Sequence, residues 1–91
     1  MVALRVTLVD DAPLVREGIA RLLHDDGIDV VAQHADALDI VTAVEKDRPD
    51  VVILDVRMPP THTTEGLDAG VELKARHPDV GVLLLSQHVE T

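Results

Sequence analysis

The chain has 91 residues, 46% of them hydrophobic, which suits one small domain and argues against disorder. Eight Lys and Arg stand against 17 Asp and Glu, a formal net charge of −9, and there is no Phe, Tyr or Trp. That surface repels nucleic-acid phosphates and offers no aromatic platform for base stacking, while the absence of cysteine excludes disulfides and thiolate zinc sites.

The opening Met1-Val2-Ala3-Leu4-Arg5 lacks the pattern of a secretory signal, and no apolar run is long enough to span a membrane. A cytoplasmic location is the expectation. Residues 4–9 read as a strand that ends in Asp10-Asp11. Pro13 suits the first turn of a helix, where its missing N–H costs nothing. Val15, Ile19, Leu22 and Leu23 follow at helical spacing, and Gly27 is a natural stop. Residues 28–32 form a second apolar run. Asp36 reads as the N-cap of a second helix with Leu38, Val41 and Val44 as its stripe, closed by Pro49.

Residues 51–54 are a third apolar run, and Asp55 ends it. A polar loop, Thr61 to Gly66, leads to a third helix with Leu67, Val71 and Ala75 along one face, ending near His77-Pro78. Residues 80–85 form the fourth strand. This alternation of four strands and three helices predicts one α/β domain, a parallel sheet with helices on both faces. Ligands in such sheets bind beyond the carboxyl ends of the strands, where strand order reverses. If the first and third strands are neighbours there, Asp10, Asp11 and Asp55 converge.

Three carboxylates brought together repel unless a cation or a proton intervenes. Mg²⁺, a hard ion that favours oxygen and keeps several waters, suits such a site. With the charge neutralised, one carboxylate can attack a phosphoryl donor and become an aspartyl phosphate. Asp55, alone at its strand end, is the better nucleophile; Asp10 and Asp11 are the better metal ligands. Plainer roles compete with this reading. Asp-Asp before a helix can serve as an N-cap, and Asp after a strand as a turn residue. Acids at corresponding ends of two strands favour the metal site. The five histidines show no metal-ligand spacing, and Gly66 and Gly70 do not make a dinucleotide fingerprint.

Two segments carry a family resemblance: Val9-Asp10-Asp11-Ala12-Pro13-Leu14-Val15-Arg16-Glu17-Gly18 and Leu54-Asp55-Val56-Arg57-Met58-Pro59. The chain resembles the receiver domain of bacterial two-component response regulators, of the LuxR/NarL-type subgroup, with a flavodoxin-like fold. The resemblance implies that Asp55 accepts a phosphoryl group from a sensor histidine kinase. It implies Asp11 as a direct Mg²⁺ ligand, Asp10 as a ligand through water, Asp55 and the backbone carbonyl of Arg57 as further ligands, and Ser86 as the switch hydroxyl. The resulting signal would control transcription through an output domain outside this sequence.

The sequence departs from that family in lacking a fifth strand and the lysine that precedes it; the only lysines, Lys46 and Lys74, fall on predicted helices. The expectation is a receiver, spanning residues 1–91, truncated before the fifth strand and incomplete at its C-terminal sheet edge. The fourth strand would then be an open apolar edge, prone to self-association or to exchange of elements with a second copy. A phosphorylation-impaired interaction or dimerisation domain is the alternative function. A Mg²⁺-dependent phosphohydrolase ranks last, because Arg57 stands where such enzymes place a second acid. Arg57 itself is a candidate substitute for the lysine, against the plainer role of a solvated arginine.

Overall fold

All four apolar runs become parallel strands in a computed structural model that describes residues 3–56 and 64–85. The elements are β1 (Arg5–Val9), α1 (Pro13–Asp25), β2 (Asp29–His34), α2 (Ile40–Asp47), β3 (Val51–Asp55), α3 (Glu65–Arg76) and β4 (Gly81–Leu85). The sheet order is β2-β1-β3-β4. β1 and β3 are therefore neighbours, paired from Val6 with Val51 to Val9 with Leu54.

Alternation along the strands divides the core into two layers. Val6, Leu8 and Ile53 face one side, covered by Ile19, Ala20 and Leu23 of α1. Val9, Val52 and Leu54 face the other, packed with Ile40 and Val44 of α2 and Leu73 of α3. Each fully buried aliphatic side chain contributes roughly 1.5–3 kcal/mol relative to exposure. Helices thus cover both faces, as the alternation of elements predicts.

The predicted stop of α1 has a definite mechanism. Gly27 adopts φ +82°, its N–H donates to the His24 carbonyl at 3.0 Å, and the Ile28 N–H donates to the Leu23 carbonyl at 2.9 Å. This pair of bonds is a Schellman closure, which needs a residue tolerant of the left-handed region. The predicted stripe of α1 is only half correct. Ile19 and Leu23 face the sheet, but Leu22 is 71% exposed.

Other expectations are corrected. β2 starts one residue later than predicted and ends two later, because pairing with β1 extends to His34 opposite Val9. α2 begins at Ile40, not after Asp36. The Asp36 carboxylate instead accepts the Leu38 N–H at 2.9 Å, a turn that competes with helix initiation. Leu38 lies outside the helix and is exposed; Ile40 and Val44 are the buried residues. In α3 the inward face is Gly66, Gly70 and Leu73, whereas Val71 and Ala75 are exposed and Leu67 is at the margin. Two glycines on the inward face let the helix approach closely, and they displaced the apolar stripe from the side that packs. Gly66 also belongs to the helix rather than to the preceding loop.

Candidate metal and phosphoacceptor site

β1 and β3 end side by side, so their terminal acids meet. Oxygen atoms of Asp10, Asp11 and Asp55 lie within 4.8 Å of one another. Asp10 and Asp55 are buried and Asp11 is half-buried. The sequence expectation of convergence is met because β1 and β3 are adjacent.

Asp10 is held from several directions. Its N–H donates to the His34 carbonyl at the end of β2, at 3.0 Å. Its Oδ1 accepts the Ala12 N–H at 2.8 Å. Its backbone carbonyl accepts Nη1 of Arg16, from α1, at 2.6 Å. Neither acid is the N-cap of α1; that position belongs to Ala12, which makes no side-chain cap, and Pro13 follows in the first turn. Capping therefore does not account for the Asp-Asp pair, although one oxygen of Asp10 does organise the turn into the helix.

Asp55 is the last residue of β3, in register with Leu85 of β4. The next residue, Val56, donates its N–H to the Leu85 carbonyl at 2.9 Å and accepts the Gly66 N–H at 3.0 Å. The first turn of α3 therefore rests on the Asp55–Val56 backbone. A Cβ built on Gly66 would fall 2.7 Å from the Asp55 carbonyl carbon and 2.9 Å from Val56 Cα, and closer still to the Asp55 carbonyl oxygen. Only glycine permits this contact. In the sequence Gly66 and Gly70 do not make a dinucleotide fingerprint; the place of Gly66 beside the Asp55 strand end becomes visible only when α3 is docked.

Arg16 is the second residue that sequence reasoning did not single out. Its signal was available: it lies three residues before Ile19, four before Ala20 and seven before Leu23, on the inward face of α1. Arg57 and Ser86 lie outside the described residues, as does His62. The lysines are far from the acids. Lys74 is tied to the carbonyls of Pro78 and Val80, at 3.0 and 3.1 Å, ahead of β4, and Lys46 sits in the last turn of α2.

The donor set is all carboxylate, compact, and largely withdrawn from solvent. Hard oxygen ligands with no nitrogen or sulfur among them fit Mg²⁺ and offer nothing to a softer metal. Among the described residues, no helix is long and apolar enough to cross a membrane.

The sequence matches the response regulator receiver domain family over residues 6–91. It is 40% identical over 86 residues to the transcriptional regulatory protein DegU of Brevibacillus brevis, covering 93% of this chain and 35% of that protein. It is 42% identical over 86 residues to a protein-glutamate methylesterase/protein-glutamine glutaminase of Haloarcula marismortui, covering 94% of this chain and 22% of that protein. The chain thus spans about a third or less of the length of these two relatives. A two-component response regulator of the LuxR family from Aurantimonas sp. SI85-9A1 superposes with a TM-score of 0.83 at 31% identity, over 97% of this chain and 61% of that one. A matched span that covers nearly the whole sequence, on the sheet order and acidic cluster just described, shows that the chain belongs to the response regulator receiver domain family, the signalling module of two-component systems.

Proposed function

We propose that Asp55 accepts a phosphoryl group from a sensor histidine kinase, with Mg²⁺ held by Asp10, Asp11 and Asp55. The observation that carries this reading is the approach of three carboxylates to within 4.8 Å at the carboxyl ends of two adjacent strands. Mg²⁺, when bound, would offset their repulsion and draw phosphoryl oxygens into place. An Asp55 oxygen would attack phosphorus as the P–N bond to the kinase imidazole breaks, and that imidazole would leave with a proton from solvent. Asp10, whose backbone is anchored on β2 and α1, and the adjoining Asp11 would serve as ligands. The Arg57 carbonyl as a further ligand and Ser86 as the switch hydroxyl follow from the family motif.

The consequence of phosphorylation depends on what the receiver is joined to. The two relatives act as a transcriptional regulator and as a methylesterase on similar receivers, so the module is compatible with either output. Control of transcription is the reading favoured by likeness to the LuxR-family regulator.

Incubation with Mg²⁺ and a small acyl phosphate tests the proposal. Intact-mass measurement should show one phosphoryl adduct, absent from Asp55→Asn and absent when Mg²⁺ is chelated. A folded wild-type chain that gains no adduct would refute Asp55 as acceptor.

A second role, self-association, is favoured by β4. Among the described residues it pairs only with β3, and Leu83 and Leu84 are 52% and 36% exposed. Beside them Leu67, Gly70 and Val71 of α3 line a shallow groove with Val82 and Leu84. An apolar surface of this kind can be covered by a second copy or by exchange of elements with one. Light scattering should report a dimer at micromolar concentration, and a monodisperse monomer would eliminate this role.

A further inference from the structure

Arg16 occupies a helix position where an apolar residue would ordinarily pack. It extends the line of Ile19, Ala20 and Leu23 toward the start of α1, on the side that covers Val6 and Leu8. The residue is half-buried, and its Nε is buried with no hydrogen-bond partner among the described residues. Withdrawing part of a guanidinium from water has a cost that snorkelling to solvent would avoid. Its Nη1 instead donates to the Asp10 carbonyl, at 2.6 Å.

That carbonyl belongs to the peptide joining Asp10 to Asp11. The preceding peptide is already pinned, because the Asp10 N–H donates to His34 on β2. The Asp10 carboxylate is oriented by the Ala12 N–H. The same bond from Ala12 closes a turn around the Asp10–Asp11 peptide, whose orientation sets where the second carboxylate stands relative to the first. Arg16 holds that peptide from α1 through its carbonyl, with a charge-assisted bond roughly twice as strong as a neutral one.

We propose that Arg16 is a positioning residue for the carboxylate cluster, acting on Mg²⁺ binding by holding the Asp10–Asp11 peptide. The inference rests on the reading of the trio as a Mg²⁺ site. Residues that orient metal ligands typically change affinity by about 10- to 100-fold when lost.

The test is calorimetric titration of Mg²⁺ into the full chain as wild type, Arg16→Lys and Arg16→Met, with fold checked by amide NMR spectra and thermal melts. Both variants should bind Mg²⁺ about tenfold more weakly. Lysine keeps the charge and loses the planar fork, so it should not rescue. A purely electrostatic role predicts a different pattern: tighter Mg²⁺ binding in Arg16→Met, where a nearby cation is gone, and no change in Arg16→Lys. That pattern would overturn the proposal. Lower melting temperatures with unchanged Mg²⁺ affinity would overturn it as well, leaving Arg16 a packing residue. If Arg16→Met fails to fold, Arg16→Lys alone decides between these outcomes. A wild type that shows no Mg²⁺ binding would remove the metal reading and this inference together, whereas unchanged variants beside a binding wild type would remove only the inference.

Discussion

Replacement of Gly66 with alanine should lower the melting temperature by roughly 10–20 °C, the equivalent of about 2–3 kcal/mol of overpacking in a domain of this size. The added methyl would meet the Asp55 carbonyl group and Val56 Cα, all backbone atoms of a strand end that cannot rotate aside. Either α3 must lift from the sheet or Asp55 must move. Lifting α3 would strain the packing of Leu73 among Val9, Val52 and Leu54. Moving Asp55 would change its distance from Asp10 and Asp11. Phosphorylation of the folded fraction should therefore fall as well.

Gly18→Ala is the control. Its Cβ would meet nothing within 4 Å, in the middle of α1. Alanine there should stabilise the chain by about 1 kcal/mol through helix propensity alone. Thermal melts followed by far-UV circular dichroism compare the two directly. If Gly66→Ala melts with the wild type, the first turn of α3 does not rest on the Asp55 peptide.

Asp55→Asn should do two things at once: abolish the phosphoryl adduct and stabilise the metal-free protein. Three carboxylates within 4.8 Å cannot all be ionised without mutual repulsion. Removing one charge while keeping the shape should relieve on the order of 1 kcal/mol in low salt, a gain of several degrees. The sign reverses with Mg²⁺. The wild type should gain stability as Mg²⁺ is added, since a ligand that binds only the folded state shifts unfolding by mass action. Asp55→Asn should gain much less, having lost a ligand. The crossing of the two melting curves with Mg²⁺ concentration is the diagnostic observation. A variant that is less stable than wild type in metal-free buffer would mean that the Asp55 carboxylate supports the fold rather than opposing it. Sites that bind and react commonly carry this trade of stability for function.

Much of this protein was legible one residue at a time. Val51 to Leu54 reads as a buried strand, and an acid at its end has little to do for packing. Pro13 and Gly27 mark the start and stop of α1 through backbone constraints that act locally, so a linear reading finds them. The acidic residues and the paired motifs around them were sufficient to indicate the family and to nominate Asp10, Asp11 and Asp55.

Other features depend on contacts that apolar spacing and helix propensity do not rank. The start of α2 was misplaced because Asp36 closes a turn on Leu38, a local competitor of the helix that propensity alone does not rank. The face of α3 was misassigned because apolar spacing selected Leu67, Val71 and Ala75. Docking on β3 instead requires the smallest side chains inward, at Gly66 and Gly70. Arg16 looked like one more charge on an amphipathic helix until its guanidinium was found on the Asp10 carbonyl. The sequence by itself determined the elements, their alternation and which acids end the strands, because these follow from local periodicity and backbone constraint. Only the tertiary structure decided that β1 lies beside β3, that Gly66 of α3 rests against the Asp55 backbone, and that Arg16 reaches the Asp10 carbonyl, because each is a contact set by how the elements pack and not by periodicity along any one of them.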